Sequence, residues 1–218
     1  MINIRSFKKN IYSQNGEDGI IEYVLDRLPK NRWCCEFGAW DGKYLSNTFN
    51  LVSNHGYKAV YIEADQAKYQ HLLVTGSEHA DKIIALNRVV GFDENSLDII
   101  LSETTIPIDF DILSIDVDGI DFALWQSLNN YRPKIVIIEI NSSLDPCPIY
   151  NVDDLTVKRL SDRPGVNFGS CLELGKSKGY TLLTHIGNMI FIENEYRTMF
   201  KDTDIIKDDY LKFDKGWL

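Results

Sequence analysis

The chain has no run of about 18 apolar residues, the minimum for a membrane-crossing helix. No apolar segment follows the basic residues of its opening stretch "MINIRSFKKNIYSQNGED" either, so a secretory leader is not expected. A soluble, cytoplasmic protein without a membrane partner is the expectation. Cation surplus is also missing: 23 Lys and Arg stand against 32 Asp and Glu, for a formal net charge of −9. Binding to a phosphate backbone draws on clustered cations that release counterions, so nucleic acid is not an expected partner. Cysteine is scarce, and Cys34, Cys35, Cys147 and Cys171 form neither a CxxC pair nor a zinc-ligand spacing. Reduced, structural thiols are expected. There is no internal repeat, low-complexity segment or interdomain linker.

What is present is ordinary globular composition, 44% hydrophobic and 25% charged over 218 residues, enough for one well-buried α/β core. A single domain over residues 1–218 is expected. Ile20, Ile21, Val24, Leu25 and Leu28 recur at helical spacing, with Asp18 as a cap and Pro29 as a stop, within an N-terminal helical cap over residues 1–30. Apolar and helical stretches then alternate: "RWCCEFGA", helical "KYLSNTFNLVSNHG", "KAVYIEA", helical "QAKYQHLLVTG", "KIIALNRVV", helical "ENSLDIILSET", "FDILSID", helical "DFALWQSLNNY" and "KIVIIEI". This is the rhythm of a parallel sheet with helical crossovers. The rhythm breaks over residues 141–168, a long polar, proline-bearing stretch of the kind that serves as a substrate loop. Tyr150 and Asp153 within it are candidates to touch substrate. A helix "GSCLELGKSKG" follows, and "YTLLTHIGNMIFIE" reads as a closing hairpin around Gly187 and Asn188. The charged segment 196–218 reads as a solvated tail anchored by Trp217. The expected fold is a Rossmann-like α/β domain, a seven-stranded, mostly parallel sheet with an antiparallel last strand and helices on both faces.

In such a sheet, ligands sit beyond the carboxyl ends of the strands, beside the first one. "CEFGAWDG" occupies that place. Gly38 and Gly42 would let the backbone turn and approach a ligand, with the next helix offering free N–H groups. A dinucleotide site would carry GxGxxG, whose glycines make room for a pyrophosphate; here an acid, Glu36, stands first. An acid at a strand tip suits a cationic ligand, such as the amino group or sulfonium of S-adenosylmethionine. Glu63, ending "AVYIE", stands where an acid accepts hydrogen bonds from ribose hydroxyls, a feature shared with nicotinamide sites. A NAD(P)-dependent oxidoreductase is therefore the first competing reading, and a cofactor-binding regulatory protein without turnover the second.

The set "YSQNGEDGII", "CEFGAWDGKYLSNT", "YIEAD", "FDILSIDVDGIDFALW" and "GYTLLTHIGNMIFI" resembles the FkbM-type branch of class I S-adenosylmethionine-dependent methyltransferases, over residues 12 to 193. The resemblance implies O-methylation of a sugar, glycan precursor or other small polar acceptor, as in polysaccharide biosynthesis. It implies that Gln14, Gly16 and Glu17 approach the methionine end of the cofactor, that Glu36, Gly38 and Ser46 line its loop, and that Glu63 holds the ribose. "LNRVVG" would lie near adenine. Trp40 and Asp41 depart from a lean glycine loop.

"SIDVDGID" ends the fourth strand. The Asn/Asp-Pro-Pro-aromatic motif that holds a planar nitrogen is absent, which favours oxygen over the alternative, N-methylation of a small amine or phosphorylated metabolite. Alternation places Asp116 and Asp118 on one face, and the fifth strand's tip adds Glu139 and Asn141. Carboxylates gathered this closely either share a proton or hold a hard divalent cation such as Mg²⁺ or Mn²⁺, with Asp116, Asp118, Glu139 and Asn141 as ligands. Asp116, which also borders the cofactor, Glu139 and His185 are the candidate catalytic groups for taking the acceptor's proton. Asp121 reads as a helix N-terminal acid and Trp125 as core. A sugar or other small molecule is the expected partner, and a homodimer is left open.

Overall fold

Short β-branched and aliphatic runs, each followed by an amphipathic crossover, assemble into one sheet in a computed structural model that describes residues 1–144 and 165–204. Its strands are β2 (Trp33–Phe37), β3 (Lys58–Glu63), β4 (Ile83–Asn87), β5 (Ile112–Ile115), β6 (Ile135–Glu139), β7 (Tyr180–His185) and β8 (Asn188–Glu193). They lie in the order β4-β3-β2-β5-β6-β8-β7, and β8 alone runs against the other six. The seven-stranded Rossmann-like sheet expected from the sequence is therefore the fold observed. The order of winding reverses between the parallel neighbours β2 and β5, which opens a crevice beyond their carboxyl ends. Register fixes what stands there: Phe37 pairs with Ile115 and Ile115 with Ile138, so Glu36, Asp116 and Glu139 come to one edge.

Alternation along the strands feeds two apolar layers. Cys34, Ile112, Ile135 and Ile190 face α1 (Glu17–Leu25) and α2 (Phe49–Asn54), whereas Cys35, Leu113, Val136 and Phe191 face α4 (Leu97–Ser102), α5 (Asp121–Ser127) and α6 (Phe168–Ser177). Trp125 is wholly buried in the second layer, as its helical neighbours predict. The thiols of Cys34, Cys35 and Cys171 are free and buried; Cys147 lies outside the described residues. At the amino ends of β5 and β6, Asp111 and Lys134 form a buried ion pair: the Asp111 carboxylate accepts from Lys134 Nζ at 2.6 Å and from the backbone N–H groups of Asn31 and Arg32 at 3.1 and 2.9 Å.

Three local expectations are corrected. Asp18 does not cap α1, whose N-cap is Gly16 at φ +104°; Asp18 Oδ2 instead gathers the backbone N–H groups of Ile11, Tyr12 and Ser13 and the Ser13 hydroxyl, folding the N-terminal loop onto the helix. The stretch 43–56 is helical only over Phe49–Asn54, because residues 43–48 are drawn into the crevice wall. The start of the charged tail is not solvated throughout: Asn194–Phe200 form a 3-10 helix that buries Phe200, and β9 (Thr203–Asp204) pairs with β1 (Ile2–Asn3). Trp217 lies outside the described residues. Among them, no helix is long and apolar enough to cross a membrane.

Candidate active site

The crevice at the switch point is a cavity of about 540 Å³ whose walls include Glu36, Gly38, Glu63, Asp116, Asp118 and Glu139. Gly38 is glycine because of a backbone crossing: its φ is +75°, and a Cβ there would fall 1.7 Å from the Asp116 carbonyl oxygen. The β2 and β5 tips touch at that point, which seats Glu36 beside Asp116. The chain then turns at Trp40, φ +46°, whose N–H donates to Glu63 Oε2 at 2.8 Å. Glu63 Oε1 accepts the Asp65 N–H at 2.7 Å. Each Glu63 oxygen thus keeps capacity for a further donor from the cavity. Arg88, Val89 and Val90 of the expected "LNRVVG" stretch line the same cavity.

Glu36 is buried, and its carboxylate does what the expected helix N-terminus was to leave for a ligand. Oε2 accepts the hydroxyls of Ser46, at 2.7 Å, and Thr48, and Oε1 accepts the Asn47 N–H at 3.3 Å. The Asn47 N–H, and the Thr48 N–H that Oε2 accepts at 3.2 Å, are therefore taken from within. Burial pushes the Glu36 carboxyl up to about 7, against the pull of these hydrogen bonds.

Several residues expected around the cofactor stand behind the cavity wall. Ser46 braces Glu36 and the start of α2. Gly42, φ +78°, is a turn glycine packed on Leu72 and Tyr61, and Gly16 packs on the Lys8 side chain. Glu17 is fully buried, with Oε2 accepting the Asn15 N–H and Oε1 the Asn188 Nδ2 at 3.1 Å. Gln14 reaches a smaller recess of about 50 Å³ that adjoins the main cavity at Leu45, Asp116 and Glu139.

Asp116, Asp118 and Glu139 come together, each with a carboxylate oxygen within 4.8 Å of the others. Asp118 reaches the group from a turn at φ +54° rather than by strand alternation, since β5 ends at Ile115. Asp116 and Asp118 are exposed to the cavity, and Glu139 is half-buried beside them. Both Asp116 and Glu139 are held above the ordinary carboxylate range, first by desolvation and then by like charges: Asp121 for Asp116, and Asp116 then Asp121 for Glu139. The two carboxyls hydrogen-bond to each other, and Glu139 is pushed the further of the two toward its protonated form. Asp121 is structural, its oxygens accepting the Val117 and Gly119 N–H groups at 2.8 and 2.9 Å.

His185 does not join this group, and Asn141 lines neither cavity. Asn141 Oδ1 accepts the Ser143 N–H and hydroxyl at 3.0 and 2.6 Å. His185 ends β7 rather than sitting in the turn; it is buried, with Nε2 3.2 Å from Ser142 Oγ and its ring against Phe168, and it lines neither cavity. Tyr150 and Asp153 lie outside the described residues.

The cavity also has lining residues to which the sequence assigned no role. Trp40, Tyr44 and Leu45 form an exposed apolar lip, with Lys68 Nζ 4.7 Å from the Trp40 ring. Their left-handed φ angles, at Trp40 and Leu45, carry no sequence signal in non-glycine residues. Lys68 could have been found from its place in the first turn of α3 (Gln66–Glu78), one turn past Glu63.

No family model matches the chain, and no curated protein does. Solved structures do. The DszA carbon methyltransferase aligns with a TM-score of 0.52 at 11% identity, over 88% of this chain and 57% of that one. The CurJ carbon methyltransferase aligns at 0.51 and 10% identity, over 87% and 56%. The [4+2]-cyclase SpnF aligns at 0.51 and 13% identity, over 82% and 64%. The chain spans a little over half the length of the two carbon methyltransferases. At these identities the likeness establishes the fold, and the three neighbours include more than one chemistry.

Proposed function

We propose that the chain is an S-adenosylmethionine-dependent methyltransferase that acts on a hydroxyl of a sugar, glycan precursor or other small polar molecule. One observation carries the reading: Glu36 and Glu63, on neighbouring strand tips, border a single cavity that also takes in the Asp116–Glu139 pair. The residues fit the cofactor. Glu63 keeps acceptor capacity for two ribose hydroxyls, Glu36 gives a carboxylate for a cationic group, and no GxGxxG cradle exists for a dinucleotide pyrophosphate. Methyltransferases among the structural neighbours agree with this, although those named act on carbon.

Bound there, the cofactor supplies an electrophilic methyl group. The chain's own part is to hold the acceptor hydroxyl and take its proton. Asp116 and Glu139 with one proton between them retain one carboxylate able to accept another. Assistance by Mg²⁺ or Mn²⁺ is the second reading, favoured by the three oxygens of Asp116, Asp118 and Glu139 within 4.8 Å.

Glu63→Ala is expected to weaken S-adenosylmethionine binding by about 1.5–3 kcal/mol, the worth of hydrogen bonds to a charged group. Calorimetry that returns wild-type affinity would remove Glu63 from the ribose site. A second expectation follows from Glu36. Its carboxyl titrates near 7, and only the ionised form attracts a cationic ligand. Affinity should rise between pH 6 and 8, with proton release seen as a binding enthalpy that varies with buffer. Flat affinity and a buffer-independent enthalpy would sink the assignment. For folding the sign is opposite: a raised carboxyl contributes its stability in full below about 4.5 and loses it as pH rises through about 7.

A further inference from the structure

Apolar side chains scattered singly over a surface are ordinary. The lip of the cavity is not scattered: Trp40, Tyr44 and Leu45 fall close together in the chain, all line the cavity, and are 44%, 60% and 41% exposed. Trp40 and Leu45 also hold φ angles of +46° and +57°, which are unfavourable for residues with a Cβ. Such strain persists only where the surroundings enforce it. Here Asp41 Oδ1 accepts the Lys43 and Tyr44 N–H groups at 2.9 and 2.7 Å, the Asp41 carbonyl accepts the Thr75 hydroxyl at 2.6 Å, and Lys43 pairs with Glu78 of α3. The loop is fastened to a helix while its rings stay outside.

Its two ends point to different parts of the cavity. The Trp40 N–H donates to Glu63, whereas Leu45 borders both the cavity and the adjoining recess, beside Asp116 and Glu139. Tyr44 lies between them in the chain. Lys68 already occupies the Trp40 ring, and Trp40 meets Tyr44 edge to face with centroids 5.5 Å apart. Trp40 thus supports Tyr44, the most exposed of the three, and Tyr44 is left to present its ring to an occupant.

The negative face of an aromatic ring attracts the partly positive hydrogens of C–H groups. At the same cavity, the carboxyl oxygens of Asp116 and Asp118 accept hydrogen bonds from hydroxyls. A pyranose meets both demands, with a flat C–H face and a rim of hydroxyls. An open-chain polyol has no such face, and an aromatic alcohol has no such rim. Charge narrows the class further: among the described residues, the cavity wall carries the carboxyls of Glu36, Glu63, Asp65, Asp116, Asp118 and Glu139 against Lys68 and Arg88, and Arg88 is paired with Glu103. An anionic sugar is disfavoured there.

Resting on the methyltransferase reading, we infer that Tyr44 is the acceptor platform: its ring takes the C–H face of a neutral pyranose and determines specificity for a ring over an open chain.

The test is NMR titration of the full chain, with and without S-adenosylhomocysteine, using methyl β-D-glucopyranoside, D-sorbitol, benzyl alcohol and methyl β-D-glucuronide as probes. The glucopyranoside is expected to bind most tightly, with saturation transfer strongest at its ring C–H protons. Tyr44→Ala, or Tyr44→Ser if the first fails to fold, should weaken that binding about three- to tenfold, the worth of one aromatic contact. Tyr44→Phe should retain it, and neither change should alter S-adenosylhomocysteine affinity. The inference is overturned if the glucopyranoside does not bind beside S-adenosylhomocysteine, or if any other probe binds as tightly. A loss below about threefold in Tyr44→Ala, an equal loss in Tyr44→Phe, or a matching loss of S-adenosylhomocysteine affinity would overturn it as well, the last by assigning the lip to the cofactor. Glucopyranoside binding through Tyr44 in a chain that takes no S-adenosylhomocysteine would instead sink the methyltransferase reading while supporting the platform.

Discussion

Asp116→Asn is expected to lower the rate of methyl transfer by about 10²- to 10⁴-fold, the range for removing a general base. Asparagine keeps the size of the side chain and leaves the backbone carbonyl that meets Gly38 in place. It can accept Glu139's proton in a hydrogen bond but cannot take one from the acceptor. Cofactor affinity should change far less than turnover, so kcat carries most of the loss. Because both carboxyls are held above the ordinary range, the wild-type rate should rise with pH along an acid limb displaced upward from that of a free carboxylate. In the variant that limb should move or vanish. EDTA treatment separates the devices: activity that survives chelation assigns the work to the shared proton, and activity restored only by Mg²⁺ or Mn²⁺ assigns it to a cation. If Asp116→Asn retains full activity, the acid group is structural and proton transfer lies elsewhere.

Lys134→Met should cost about 3–5 kcal/mol of folding stability, the penalty for leaving a buried charge without its partner. Asp111 is fully buried and Lys134 nearly so, at the edge of the sheet opposite the cavity. Methionine replaces the aliphatic stem at similar volume, so packing changes little and the loss reports the orphaned carboxylate. Adding Asp111→Asn should recover part of it, since the amide oxygen can still accept the Asn31 or Arg32 N–H. Urea unfolding with an unchanged m-value is the measurement, and a single-variant loss below about 1 kcal/mol would mean that water or a rearranged side chain reaches Asp111. Ligand binding should be unaffected, because the pair is remote from the cavity.

Periodicity made the sheet readable. Runs such as "KIVIIEI" are buried on both faces, and the hairpin turn at Gly187 is announced by its residues. Tertiary demands overrode local signals elsewhere. Asp18 has the look of a helix cap, yet three loop N–H groups hold it inside the helix's first turn. Gly42 and Gly16 hold left-handed φ angles with Leu72 and Lys8 close against them, reasons for glycine that the sequence alone does not display. Glu36, Glu63, Asp116 and Glu139 were legible as neighbours because each lies at or next to the carboxyl end of a strand, and strand ends meet by topology. Tyr44 and Leu45 were not, because they lie on a loop whose course depends on a distant partner, Thr75.

β8 follows β7 in the chain but sits between β6 and β7 in space. Its two neighbours make very different demands: the turn to β7 is local, whereas β6 lies some 50 residues back along the chain. During synthesis or refolding, β6 therefore presents an open edge of Ile135, Val136, Ile137 and Ile138 until the hairpin arrives. That interval is when copies of the chain are most prone to pair with one another through this edge. Docking of β8 ends the exposure, and the same event places Asn188 opposite Glu139. Protection from aggregation and completion of the recess thus arrive in one step.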